Sequence, residues 1–184
     1  MTVPIRAANI CEIDGPDNSY IASITGLNVG TLATTDIFVL YGSATRILRI
    51  VQVGITATAN TAGAHFDVQI QGRSTAVSGG TPAVVTPSVQ DPLDPASTAN
   101  VCQGYTAAPV AGTSTGIFAA AKLFAPTPGS SLNVGAQFNF GYGAGCKAMI
   151  LRGVNSGMAI NLAGATPANP TSFDIFVVWT ERDS

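Results

Sequence analysis

The sequence predicts an all-β fold: an antiparallel β-sandwich or jelly roll of about ten short strands. Three observations carry that reading. Charged helix formers are scarce, with Glu and Lys each occurring only twice in 184 residues, and Gly (20) or Pro (11) interrupts most windows long enough for three helical turns. Apolar and polar residues alternate with a period of two in segment after segment. Turn clusters such as Ser78-Gly79-Gly80 and those at 126–129 and 141–145 separate these segments. Frequent turns between short alternating runs belong to sandwiches rather than to α/β folds.

Taken in order, residues 20–25 and 37–41 read as the first two strands, short and rich in Ile, Val, Phe and Tyr. Residues 45–58 alternate, with Ile47, Arg49, Val51, Val53 and Ile55 on one face and Leu48, Ile50, Gln52, Gly54 and Thr56 on the other. A straight strand of that length spans about 45 Å at roughly 3.3 Å per residue, so a bend or bulge is expected near Gly54. Residues 65–71 point Phe66, Val68 and Ile70 inward and His65, Asp67, Gln69 and Gln71 outward, and the Thr-Ala-Gly turn at 61–63 predicts a hairpin with the preceding strand. Further strands are expected at 83–86, 101–105, 117–124, 132–140, 147–152, 158–162 and 172–181. The alanines 119–121 make a short helix the competitor at 117–124. Phe138 and Phe140 share a face, as do Phe173, Ile175, Val177 and Trp179, and both sets read as core stripes. The strand at 172–181 is so β-prone that it belongs inside a sheet or under a partner. The strand-poor stretch 86–100 holds Asp91-Pro92 and Asp94-Pro95, which fix φ and impose an ordered excursion. No linker divides the chain, so residues 20–184 form one domain and residues 1–19 an arm or extension.

Composition excludes whole classes of function. Only 10% of residues are charged, against about 25% in a typical soluble domain, and the net charge is −2. A nucleic-acid binder needs a Lys/Arg footprint that is absent, and no apolar run approaches a membrane span. The N-terminus lacks the continuous apolar region of a signal peptide. A chain this poor in charge is suited to burying surface against other copies. Cys11, Cys102 and Cys146 make an odd count without a C-x-x-C pair and read as buried thiols in a reducing compartment, with one disulfide plus a spare thiol as the alternative.

No catalytic, cofactor-binding or metal-ligating set emerges, and no cofactor is expected. His65, the one histidine, shares a strand face with Asp67 but has no nucleophile elbow to serve. The stretch from Gly141 to Lys147 lacks a Gly-Lys-Ser/Thr ending and leads into a strand rather than a helix. Glu12, Asp14, Asp17 and Asn18 carry oxygen ligands, but their spacing is not that of an EF-hand, and Asx turns account for it.

One resemblance enters here. The segment Arg73-Ser-Thr-Ala-Val-Ser-Gly-Gly-Thr-Pro-Ala-Val-Val-Thr-Pro, then the small residues running into Cys102 to Tyr105, resembles a family of tailed-bacteriophage virion proteins. Lys122-Leu-Phe, Phe138-Asn-Phe, the run from Ile150 to Leu162 and the run from Phe173 to Glu181 extend the likeness over residues 37–181. The chain departs from that pattern at Ser88-Val89-Gln90, where relatives often carry a His, and in its Glu181-Arg182-Asp183-Ser184 ending.

The resemblance implies a small β-sandwich virion protein. The expectation is a capsid decoration or cement protein on the capsid exterior, synthesised in the host bacterial cytoplasm. Its partner would be the major capsid protein of the phage head, and it would act as a homo-oligomer with a trimer favoured, without nucleic acid or membrane. The alternative is a fibre, tail or baseplate module recognising a host surface glycan, for which Tyr20, Tyr105 and Tyr142 would be the stacking candidates. Within the quoted segments, Gly79-Gly80 supplies positive φ, and residues 152–157 read as hairpin chemistry.

Overall fold

The computed structural model describes residues 17–29, 36–59, 62–130, 135–140, 148–163 and 172–183. Every strand expected from the sequence has a counterpart, and there is no helix among the described residues. In chain order they are β1 (Asn18–Asn28), β2 (Asp36–Tyr41), β3 (Arg46–Thr58), β4 (Ala64–Arg73), β5 (Thr81–Val84) and β6 (Ser88–Val89). There follow β7 (Val101–Ala107), β8 (Ser114–Ala125), β9 (Gly135–Asn139), β10 (Met149–Arg152), β11 (Gly157–Leu162) and β12 (Ser172–Asp183). One sheet runs β10-β3-β12-β1-β6, with β9 also on β3; the other runs β5-β7-β2-β11-β4-β8. All pairings are antiparallel, and the two sheets face each other across one apolar core as a β-sandwich.

β12 is the keystone of the first sheet. It pairs with β3 along its whole length on one side and with β1 on the other, so the most aggregation-prone strand has no open edge. Phe173, Ile175, Val177 and Trp179 all point into the core, as their alternation predicts. Trp179 stacks on Tyr20, its cross-strand neighbour, at 5.8 Å between ring centroids. From the opposite sheet, Phe66 meets Phe173 edge-on at 5.5 Å. Phe66, Val68 and Ile70 of β4 are buried as expected, and Phe138 and Phe140 pack on the same core.

Three expectations need correction. First, β3 does not keep one face inward. Leu48 and Ile50 are buried, then Val53, Ile55 and Ala57, because a bulge at Val51 inserts an extra residue: Trp179 pairs with Ile50 but Val178 with Gln52. The bend therefore sits at Val51, not at Gly54, whose lack of a side chain is required by the Phe176 ring lying over it. Second, β3 and β4 are not a hairpin. They lie in different sheets, so the chain passes from one sheet to the other between them. Third, residues 152–157 likewise cross between sheets, from β10 to β11, with Gly153 at φ 75° making the turn. The strand expected at 117–124 is found, and its helical competitor is not: the alanines of 119–121 are strand. They are held in register against Val68, Gln69 and Ile70, so tertiary pairing overrides their helix propensity.

The arm boundary drawn at residue 19 falls inside β1, where Asn18 and Ser19 already pair with Glu181 and Thr180. Residues 1–16 lie outside the described residues. β6, two residues long, was not expected from the sequence; it joins the 86–100 excursion to β1.

That excursion is ordered as predicted, and a buried carboxylate holds it. Glu181, 1% exposed, continues the inward face of β12 beyond Trp179. It accepts from Trp179 Nε1 (3.0 Å), Thr98 Oγ1 (2.7 Å), the Thr98 backbone N–H (3.0 Å) and Ser97 Oγ. Tyr20 Oη donates to the Pro95 carbonyl (2.9 Å), and Asp94 accepts from the Ser19 N–H (3.2 Å). Burial pushes the Glu181 carboxyl up, but the hydrogen bonds from Ser97, Thr98 and Trp179 outweigh it and hold it below its ordinary value. A depressed carboxylate contributes stability above its unfolded pKa of about 4.5, which is lost as pH falls through the lower folded value. We expect Glu181→Gln to lower the urea midpoint at pH 7 by an amount equivalent to about 2 kcal/mol. Fluorescence of Trp179 reads it, and the gap between wild type and variant should narrow below pH 4.5.

Candidate interaction surface

The residues with chemical potential are dispersed. His65 lies against the Phe124 ring, 4.9 Å between centroids, while Asp67 pairs with Lys122 at 2.8 Å on the open face of β4 and β8. The two share a face as predicted, but the carboxylate is engaged by the lysine. Asp17 and Asn18 stand at the start of β1. With its amide turned so that both ends are satisfied, Asn18 donates to Asp94 Oδ1 (3.1 Å) and accepts from Arg46 Nη1 (2.7 Å). Glu12, Asp14, residues 141–147 (Tyr142 and Cys146 among them) and Cys11 lie outside the described residues. Among the described residues no group of three His, Cys, Asp or Glu side chains could hold a metal. Tyr20 and Tyr105, the other stacking candidates, are buried to 0% and 1% exposure.

Cys102 is buried on the inner face of β7, and burial pushes its thiol up to about 12. In a Cys11→Ser, Cys146→Ser background, Cys102 should resist a thiol-specific reagent at pH 8 and react once urea unfolds the chain. Rapid labelling of the native protein would contradict its placement.

A second buried polar set lies on the outer face of the other sheet and has no sequence signature. Arg73 (4% exposed) grips Asp36 (0%) with two guanidinium nitrogens, one at 2.9 Å. Asn161 Nδ2 donates to the same carboxylate (2.7 Å), and Gln71 Oε1 accepts from Arg73 Nη1 (2.8 Å). These residues come from β2, β4 and β11, brought together by a bulge at Ile37 that turns Asp36 toward Asn161. Beside them the chain covers its own sheet. The Tyr41 hydroxyl donates to the Thr75 carbonyl (3.0 Å) and accepts from the Val77 N–H (2.9 Å). Val39, Tyr41, Tyr105 and Ala159 form a small outer core under Val77. Gly79 and Gly80, at φ 64° and 74°, turn that cover back toward β5 as their sequence predicts. Removing one partner of a buried ion pair strands the other, so Arg73→Met should cost about 3–5 kcal/mol in urea unfolding.

Beside the exposed valines Val84, Val110 and Val154, three exposed features stand out. β8 is an edge strand whose Ile117 and Phe118 are 57% and 53% exposed, the Phe118 ring lying over Gly72 of β4. Leu93, 93% exposed, tips the excursion. It is held rigidly: its N–H donates to Asp91 Oδ1 (2.9 Å), and the Asp94 N–H to the Asp91 carbonyl (3.0 Å). The third is cationic. On the outer face of the first sheet, Arg152, Ile47 and Arg182 stand side by side on β10, β3 and β12, and the next row is Ile150, Arg49 and Thr180. These arginines and isoleucines line a shallow cavity of about 240 Å³. The sequence reading missed this face because it placed Arg49 as one polar residue in an alternating strand; three arginines at outward strand positions, among eight cations in all, was the signal available.

No protein-family model matches the chain, and no curated protein or solved structure is significantly similar to it.

Proposed function

We propose that this protein is a structural component of a tailed-bacteriophage particle: a decoration or cement protein that binds the outer surface of the major capsid protein lattice and stabilises the head. It is made in the host cytoplasm, sits on the capsid exterior and works as a homo-oligomer, with a trimer favoured. The mechanism is linkage, since a protein that binds only the assembled lattice stabilises it without chemistry.

The observation that carries the reading is the exposed apolar stretch of β8. Between Ser114 and Ala121 there is no charge, and two large apolar side chains are half exposed on an edge strand. Soluble proteins ordinarily blunt such edges with charge or cover them. Here cover by a partner is the natural role, and low overall charge and the sequence resemblance point the same way.

The test uses phage heads lacking the protein. Stoichiometric co-sedimentation with heads, together with genome release shifted to higher temperature, is expected. Phe118→Asp, at a half-exposed position that leaves the core intact, should weaken head binding by at least ~10-fold. Binding to host cells or their polysaccharide with no effect on heads would overturn the reading in favour of a fibre, tail or baseplate module.

A further inference from the structure

The end of the first sheet that carries the arginines also carries their complement. Asn18 of β1 pairs with Glu181, next along β12 from Arg182, so the excursion and the arginine face belong to one end of one sheet. On the β1 side stands Leu93 between Asp91 and Asp94, with Asp17 nearby on the same strand end. On the β3 side stand Ile47 and Ile150 among Arg49, Arg152 and Arg182. The one acid bordering that cavity, Asp183, is engaged by Arg46 at 3.5 Å, and no ion pair joins Arg49, Arg152 or Arg182 to an acid among the described residues.

Both halves are built for contact. A Leu almost wholly in solvent adds nothing to the fold, yet its turn is fixed by two local hydrogen bonds and tied to β1 through Asp94 and Pro95. An apolar side chain presented on a rigid turn loses little conformational entropy when it docks. Asp94 is taken up by Ser19 and Asn18, but Asp91, exposed beside the leucine with one oxygen holding the Leu93 N–H, presents a carboxylate that matches a guanidinium group. The cavity supplies isoleucine surface for the leucine and arginines for the acid.

We infer that the Leu93 tip of one copy docks into the arginine–isoleucine cavity of the next copy of this chain. The contact joins two different surfaces: exchanged reciprocally it makes a two-fold dimer, and passed head to tail it closes into a ring when the rotation between copies allows. The inference rests on the reading that the protein works as assembled copies, and it names the surface that assembles them.

Sedimentation velocity of the full chain, at low and high salt, tests it. Wild type should self-associate, more weakly at high salt because the pairs lie at the surface. Leu93→Asp and the double variant Arg152→Glu, Arg182→Glu should each weaken self-association by at least ~30-fold. All three positions are exposed, and circular dichroism checks that the variants fold. The decisive sample is the mixture. The Leu93→Asp chain keeps a working cavity and the arginine double variant a working tip, so together they should form a dimer and nothing larger.

Wild type that is monomeric in solution while Leu93→Asp decorates heads at wild-type occupancy overturns the inference and leaves the virion reading standing. Oligomers untouched by the variants, or a mixture that stays monomeric, overturn it too. If Leu93→Asp abolishes head binding but not self-association, the tip serves a different protein and the inference fails. Self-association through the tip without any binding to heads would keep the inference and remove the virion reading.

Discussion

The carboxylate of Glu181 is the interaction on which the arrangement at one end of the sandwich depends. β12 delivers an acid to a site where alternation calls for an apolar residue, and the acid is tolerable there only because Trp179, Ser97 and Thr98 supply its hydrogen bonds. Ser97 and Thr98 come from the excursion, so satisfying the charge fixes the excursion, and the excursion in turn closes the core over Tyr20 and Trp179. A strand end, a loop and an aromatic pair are thereby made one cooperative unit. Replacing the acid with an apolar residue would leave the loop without its anchor while removing nothing from the hydrophobic core.

The same logic recurs on the outer face of the other sheet, where Asp36 and Arg73 are buried together. A sandwich of this size has little charge to spend on its surface, yet it commits three ionised side chains to its interior. Each is surrounded by hydrogen-bonding partners, consistent with the rule that buried charge persists only where it is paired or fully hydrogen-bonded. Both sites join segments distant in sequence: Asp36 to Arg73 and Asn161, Glu181 to Ser97 and Thr98. They specify which loop lies over which sheet, a choice that apolar packing alone leaves degenerate.

How much of this was legible beforehand follows from the range of the interactions. Period-two alternation is local, so the strands and the inward faces of β4 and β12 could be read directly. Sheet membership is not local. The 61–63 and 152–157 turns carry residues that suit a hairpin, and nothing near them says that the chain crosses to the opposite sheet instead. The bulge at Val51 was anticipated as a need but misplaced, because Gly54 looks like a weak point while its real constraint is the Phe176 ring on a strand far along the chain. The candidate surfaces were least legible. Arg49, Arg152 and Arg182 are scattered in sequence, and only the β10-β3-β12 order gathers them. Leu93 reads as an ordinary loop residue until the hydrogen bonds around it are known.

The bulge at Val51 also sets which sequences can share this fold. Upstream of it the core of β3 is written at even positions, Leu48 and Ile50; downstream it is written at odd ones, Val53, Ile55 and Ala57. β9 and β10 divide the free edge of β3 at that same residue, β10 pairing up to Ile50 and β9 from Gln52 onward. A saturation library across the strand would therefore show intolerance to polar residues that changes parity in the middle. Deleting a single residue elsewhere in β3 would turn half of its hydrophobic face to solvent, whereas deleting Val51 would make the strand regular and force the mismatch onto its neighbours instead.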